Sequence, residues 1–218
     1  MMPQHHPAEE LLIDYAAGSM GEPMALLLAT HLTLCPQCRG EAARLDALGG
    51  ALLESLEPEP VSDTALQALL DQLDSEPESP PIAKPEPKSE DGALLPRPLM
   101  DYIGGPLSAV RWQRFGGLSI AELEVGGREV HTRLMRIASG MAMPRHTHEG
   151  NELTLVLSGG FSDSRGHYLR GDVATTDSSV DHQPVADADG DCLCLAVTDA
   201  PLRLTGRFGR MLNPFFRF

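Results

Sequence analysis

A proline-rich segment divides this chain of 218 residues into two parts with different patterns. Residues 75–98 hold seven of the chain's 18 prolines, with serine, glutamate and lysine between them. Because such a segment has no apolar face to bury, it is predicted to be an extended, semi-rigid linker. The linker separates a candidate N-terminal domain, residues 1–74, from a candidate C-terminal domain, residues 99–218.

Apolar residues recur at helical spacing in the N-terminal part, which predicts a small all-α domain. A helical core of about 74 residues is marginal by itself, so a bound metal or another cross-link would stabilise it. Four helices are expected: one over residues 8–17, one over 22–34, one from Pro36 to about Leu56, and one that begins at Ser62 or Asp63.

The C-terminal part alternates short runs of valine, leucine, isoleucine and threonine with glycine and aspartate turns. Turn signals recur about every ten residues, which is typical of an all-β sandwich or barrel. The chain as a whole is therefore predicted to be an α+β multidomain protein. The clearest strand candidates are HTRLMRI, LTLVLSG, CLCLAVT and LRLTGRF.

The charge of the chain excludes several classes of function. The chain carries 31 acidic and 17 basic side chains, a net charge of −14. A protein this acidic is poorly suited to bind nucleic-acid phosphates directly.

No run approaches the ~18 consecutive apolar residues of a membrane span. The N-terminus shows no signal-peptide pattern, so we expect a cytoplasmic protein without a membrane partner.

Three potential metal ligands, His31, Cys35 and Cys38, lie close together in the sequence HLTLCPQC. His31 and Cys35 are one helical turn apart, and the two cysteines flank the predicted start of the third helix. Structural zinc takes four nitrogen or sulfur ligands, and His5 or His6 can supply the fourth. The alternatives are two buried cysteines beside a surface histidine, or a redox CxxC motif, which lacks its usual βαβ context.

A second candidate metal site has a more specific spacing. His146 and His148 would point to the same face of a strand, and Glu152 follows on that strand or the next. Imidazoles and a carboxylate suit zinc, iron, manganese or nickel, and the ligand types do not choose among these metals. The alternative is that the histidines are surface loop residues.

Both sites resemble known families. HLTLCPQC with an upstream histidine resembles the zinc-binding anti-sigma domain, which implies His6 as the fourth ligand of a structural zinc. The spacing of His146, His148 and Glu152 between two glycines resembles the first motif of the cupin β-barrel. Residues 171–182 resemble its second motif and imply His182 as a further ligand. The proline and second glycine of that motif are replaced here, which affects the turn and not the ligands.

The combination of the two domains resembles the ChrR family of anti-sigma factors over nearly the whole chain. This resemblance implies a regulator that is not an enzyme. Its N-terminal domain would inhibit an extracytoplasmic-function sigma factor in a 1:1 complex. Its cupin domain, holding zinc or another divalent metal, would be needed for release by singlet oxygen or related oxidants. A dioxygenase-like cupin metalloenzyme with an N-terminal zinc assembly domain is the alternative. A zinc-dependent nucleic-acid binder is disfavoured by the acidic N-terminal part.

Overall fold

A computed structural model describes residues 2–75, 95–127 and 130–206, the side chains of residues 74 and 75 excepted. We call residues 2–75 the helical part and residues 95–206 the sheet part. Most of the predicted linker, residues 76–94, lies outside the described residues. None of the helices in the described ranges combines the length and the apolar character needed to cross a membrane.

The helical part contains the four predicted helices, with ends within about three residues of those expected. Pro23 and Pro36 occupy the first turns of the second and third helices, where the fixed φ of proline suits the backbone. Gly18, with φ of +66°, follows the end of the first helix. The helices are α1 (Glu9–Ala16), α2 (Glu22–Leu34), α3 (Pro36–Glu54) and α4 (Ala65–Ser75).

The sheet part begins with a helix, which differs from the all-β prediction. Helix α5 (Arg97–Ile103) starts inside the predicted linker, and a 3-10 helix follows at Leu107–Ala109. Pro98 is part of the predicted extended linker, but it lies in the first turn of α5, where proline is compatible with a helix. Leu99 is fully buried, which explains why this turn of helix is held in place.

Eleven strands follow in the described residues and form three antiparallel sheets. The six-stranded sheet has the order β1-β2-β3-β10-β5-β8, the three-stranded sheet β7-β6-β9, and the two-stranded sheet β11-β4. Hydrogen bonds between the described strands do not join these sheets into one closed barrel. The strands are β1 (Gln113–Phe115), β2 (Leu118–Leu123), β3 (His131–Ile137), β4 (His146–His148), β5 (Glu152–Ser158), β6 (Gly160–Ser162), β7 (His167–Leu169), β8 (Val173–Thr176), β9 (Val185–Ala186), β10 (Cys192–Thr198) and β11 (Leu202–Leu204).

One hydrophobic core joins the helical part to the sheet part. Leu26, Leu27 and Leu28 are all buried, so α2 is covered on most of its circumference. They belong to the same cluster as Leu155 and Leu195 of the six-stranded sheet. Full burial of one such leucine stabilises the fold by about 1.5–3 kcal/mol. The helical part is therefore docked on the sheet part through α2.

Candidate metal centres

The four predicted ligands of the first site come together in the helical part. His6 precedes α1, His31 lies in the last turn of α2, and Cys35 and Cys38 lie at the start of α3. One potential ligand atom from each lies within 4.8 Å of the others. The His6 Nδ1 is 3.4 Å from the Cys35 Sγ and 3.3 Å from the Cys38 Sγ.

His5, the other candidate for the fourth ligand, has a different environment. Its ring packs against Tyr168 of the sheet part, with ring centroids 4.5 Å apart. Its backbone N–H and C=O are also bonded to the sheet part. The arrangement favours His6 as the ligand.

The protonation of His31 suits a metal ligand. Its ring is fully buried, and Nδ1 lies 2.8 Å from the carbonyl oxygen of Gly171. A carbonyl only accepts, so Nδ1 carries the proton, and burial lowers the pKa of His31 so that the ring is neutral. The buried Nε2 atom then presents a lone pair, and it has no hydrogen-bond partner among the described residues. A metal ion would satisfy this atom.

Cys38 needs a nearby cation to become a thiolate. Burial, together with the neighbouring Cys35 thiol, raises the pKa of Cys38 to about 12. The thiolate is the form that binds metals. Two sulfurs and two imidazoles are a donor set that zinc uses in structural sites, and four protein ligands leave no open position for chemistry.

The second site brings three of its four predicted ligands together in the sheet part. His146 and His148 are buried residues of β4, on the same face as predicted, and His182 pairs with His146 across an isolated β-bridge. The His182 Nε2 atom lies 3.1 Å from the His146 Nε2 and 3.4 Å from the His148 Nε2. Ligand atoms of all three histidines lie within 4.8 Å of one another.

Outer partners hold the rings of His146 and His182 in place with their Nε2 atoms toward each other. The His146 Nδ1 donates to the carbonyl of Pro144 at 2.7 Å, and the His182 Nδ1 donates to the Asp163 carboxylate at 2.8 Å. Burial lowers the pKa of His146 to about 4, so its ring is neutral at pH 7. The Nε2 atoms of His146 and His182 lie 3.1 Å apart, a separation at which both can bind one divalent cation.

Glu152, the fourth predicted ligand, lies beside this group and not within it. Its Oε2 is 3.6 Å from the His148 Nδ1, on the side away from the facing nitrogens, and the Thr154 hydroxyl donates to its Oε1 at 3.1 Å. Burial raises the pKa of Glu152 to about 7. The described geometry therefore makes Glu152 a neighbour of the three histidines, and its role as a ligand stays a prediction.

A cavity of about 390 Å³ opens onto the three-histidine site. Most of its wall is apolar, and His146, His182 and Glu152 contribute polar atoms. Cys194 also lines the cavity, and its Sγ lies 3.4 Å from that of Cys192, both being buried free thiols. A cavity of this size and character can admit a small apolar molecule next to a bound metal.

Asp163 is a site residue that the sequence did not reveal. Burial alone would raise the pKa of Asp163, but hydrogen bonds from His182 and from the backbone of Arg165 and Gly166 outweigh it, and the pKa is lowered. The carboxylate is thus charged and orients the His182 ring. Asp163 is 19 residues from its partner, and its sequence DSRG indicates only a turn.

Comparisons with known proteins identify the sheet part and the family of the whole chain. Residues 104–201 match the family described as the ChrR cupin-like domain, so the sheet part is a cupin-like domain. The chain is 42% identical to the anti-sigma-E factor ChrR of Cereibacter sphaeroides over 215 residues, which cover 98% of each protein. It therefore belongs to the ChrR family of anti-sigma factors.

A solved structure gives the same result. The chain is similar to the crystal structure of Rhodobacter sphaeroides SigE in complex with the anti-sigma ChrR, with 40% identity and a TM-score of 0.77. The alignment covers 90% of this chain and 99% of that one. The predicted fold class is confirmed, with N-terminal helices and a C-terminal cupin-like domain. The expectation of a regulator that is not an enzyme is also confirmed by the family.

Proposed function

We propose that this chain binds an extracytoplasmic-function sigma factor in a 1:1 complex through its helical part and holds it inactive. The exposed leucines of α3 and α4 are the observation that carries this proposal. Each of them is between 45% and 70% exposed. They are Leu48, Leu52, Leu53 and Leu56 in and after α3, and Leu66, Leu69, Leu70 and Leu73 in α4.

The leucines of α4 have the spacing of a helix face that normally packs against a partner. Leu66, Leu69, Leu70 and Leu73 follow the pattern i, i+3, i+4, i+7. Monomeric proteins rarely expose contiguous apolar surface of this kind unless another protein covers it. An amphipathic helix that lies in a groove of its partner is a common form of recognition.

Charge supports a basic partner. Residues 1–74 carry 12 acidic and two basic side chains. An acidic helical part is complementary to a protein with basic surfaces for DNA and RNA polymerase, such as a sigma factor. Binding to a sigma factor would also place the chain in the cytoplasm, where RNA polymerase acts.

We assign a metal to each candidate site. His6, His31, Cys35 and Cys38 would hold a structural zinc that fixes the corner between α2 and α3. His146, His148 and His182, with Glu152 as the fourth ligand, would hold zinc, manganese, iron or nickel. We keep the division proposed from the sequence, with two domains, residues 1–74 and 99–218, joined by a linker, residues 75–98. Each domain would then hold one metal.

The cupin-like domain would respond to singlet oxygen or a related oxidant and release the sigma factor. The three-histidine site supports this because a cavity gives a small molecule access to it. Release requires that the oxidised chain binds the sigma factor less tightly than the unmodified chain does.

Co-expression with the sigma factor encoded beside this chain tests the binding proposal. A 1:1 complex that contains zinc is expected. Leu52→Asp combined with Leu69→Asp should weaken it. The two leucines are 62% and 59% exposed, so covering them contributes about 1–2 kcal/mol each. Loss of both should raise the Kd between about 30-fold and 1000-fold.

A matched control separates loss of the interface from loss of the fold. Val185→Asp changes an exposed apolar residue of the sheet part and should leave the Kd unchanged. The double variant should keep the wild-type melting curve, because both leucines are exposed. If no complex forms with the wild-type chain, the proposed function is wrong. If the double variant binds as well as the wild type, the leucines are not the interface.

The oxidant response has its own test. His146→Ala should keep sigma-factor binding but slow the release of the sigma factor under an illuminated photosensitiser. His167→Ala, which changes an exposed histidine of β7, is the control and should release normally. Normal release from the His146 variant would argue against a sensing role for the three-histidine site.

A further inference from the structure

The N-terminal segment of the chain lies on one turn of the sheet part, the turn between β7 and β8. The backbone N–H groups of Gln4 and His5 donate to the Oδ1 of Asp172 at 2.6 and 3.0 Å. The N–H of Val173 donates to the carbonyl of His5 at 3.0 Å. These bonds fix the backbone immediately before His6, a candidate zinc ligand.

The Asp172 carboxylate is buried, and both of its oxygens accept hydrogen bonds. The residue is 3% exposed, and its second oxygen accepts the N–H of Leu169 at 2.8 Å. A buried carboxylate that accepts three backbone N–H groups holds them by charge-assisted hydrogen bonds. One side of the carboxylate therefore shapes the turn, and the other side binds the N-terminal segment.

Gly171 makes the second connection. Its carbonyl accepts the proton of the His31 Nδ1 at 2.8 Å and so directs the Nε2 lone pair of His31 toward His6 and the cysteines. Gly171 has φ of +93°, and a Cβ there would lie 2.7 Å from the Cγ of Pro3. A glycine is thus required both by the backbone conformation and by the approach of the N-terminal segment.

We propose that residues 171–173 of the sheet part complete the zinc site of the helical part, so that zinc affinity and the docking of the two parts are coupled. Two of the four ligands, His6 and His31, owe their positions to this turn. The inference rests on the proposed zinc assignment and adds a positioning role for Asp172 and for the Gly171 carbonyl. Outer partners of metal ligands typically change metal affinity 10- to 100-fold.

The coupling is reciprocal. If docking strengthens zinc binding by some factor, then bound zinc strengthens docking by the same factor. Two experiments, one from each side, therefore test a single quantity.

The first experiment measures metal affinity in the full chain with and without the Asp172 carboxylate. Cobalt gives a thiolate charge-transfer band only where cysteines bind it, so this band reports the first site and not the three-histidine site. Displacement of cobalt by zinc then gives the zinc affinity. Asp172→Asn is expected to weaken zinc binding by about 10- to 100-fold. Asp189→Asn, an exposed carboxylate of the sheet part, should leave it unchanged.

The outcomes distinguish this inference from the zinc assignment. If the wild-type chain shows no thiolate band, the zinc assignment is wrong. If it shows the band and Asp172→Asn binds zinc as tightly as the wild type, the zinc assignment stands and the coupling is refuted.

The second experiment works from the zinc side and does not need an Asp172 variant that folds. In Cys38→Ser, the amide of Val173, which is bonded to His5, should exchange its hydrogen at least tenfold faster than in the zinc-loaded wild type. The amide of Leu195, in the centre of the six-stranded sheet, should keep its protection. Unchanged exchange at Val173 would overturn the proposal.

Discussion

Replacement of Glu152 by glutamine should stabilise the metal-free protein, with an effect that grows with pH. The Glu152 carboxyl is buried, and the one hydrogen bond it accepts among the described residues comes from Thr154. Burial raises the pKa of Glu152 from 4.5 to about 7. Glutamine has nearly the same shape and no charge, so the substitution removes the cost of ionisation and little else.

The direction and size of this stabilisation follow from the linkage between protonation and folding. Below pH 4.5 the carboxyl is protonated in the folded and unfolded chains, and ionisation costs nothing. As the pH rises from 4.5 through 7, the unfolded chain loses its proton first and the folded state loses stability. The loss from Glu152 is about 1 kcal/mol at pH 5 and about 3 kcal/mol at pH 8. The variant should therefore gain about 2 kcal/mol on the wild type between these pH values.

Urea denaturation of chelator-treated protein at pH 5, 6, 7 and 8 measures this difference. Glu149→Gln, an exposed carboxylate three residues away, is the control and should show little pH-dependent gain. If Glu152 binds the metal, the effect on stability should reverse in the metal-loaded protein, because a carboxylate binds a divalent cation more strongly than an amide does. If the gain from Glu152→Gln is the same at all four pH values, the carboxyl is not held in a buried, metal-free environment and the reasoning fails.

Three further predictions concern the cores and the ligands. Cys38→Ser should lower the zinc content by one ion per chain and destabilise the helical part by about 3 kcal/mol or more, as seen by elemental analysis and thermal melting. Leu155→Ala, at a fully buried position, should cost about 2–5 kcal/mol in urea denaturation. Burial lowers the pKa values of His146 and His148 to about 4. In metal-free Glu152→Gln, which no longer has the titrating carboxyl, the free energy of unfolding should therefore fall by about 2 kcal/mol per imidazole from pH 7 to pH 5. A denaturation series at those pH values measures this fall.

Local sequence patterns were enough to predict the helices of the helical part and most of the residues that come together at the candidate metal sites. The helical spacing of leucines and the position of Pro36 depend only on near neighbours, and α1–α4 appear where these patterns predict them. The alternation of a strand placed His146 and His148 on one face for the same reason. His6 and His182 needed the family resemblance, because they lie 25 and 30 residues from the nearest predicted ligand of their own site.

Features that depend on distant contacts were not predictable. Only the first two residues of α5 lie in the predicted linker, and the all-β prediction covers the rest. The burial of Leu99 against the core holds this helix in place. The docking of α2 on the six-stranded sheet is not visible in the sequence of α2, which shows only a run of leucines. Asp163 and Asp172 look like ordinary turn residues, and the partners that connect them to the candidate sites lie 19 and at least 167 residues away.

Those two aspartates reveal how closely the candidate metal sites are connected. Asp163 holds the His182 ring of the three-histidine site, and Asp172, nine residues later, holds the segment that carries His6. Between them, Tyr168 of β7 packs on the ring of His5. A single stretch of chain, residues 163–173, therefore supplies outer partners to both sites. If a change in the cupin-like domain alters binding by the helical part, as we propose, this stretch is one physical connection between the two sites, beside the docking of α2 on the six-stranded sheet. Because both aspartates are buried and fully hydrogen-bonded, displacing one strains the short hairpin that positions the other.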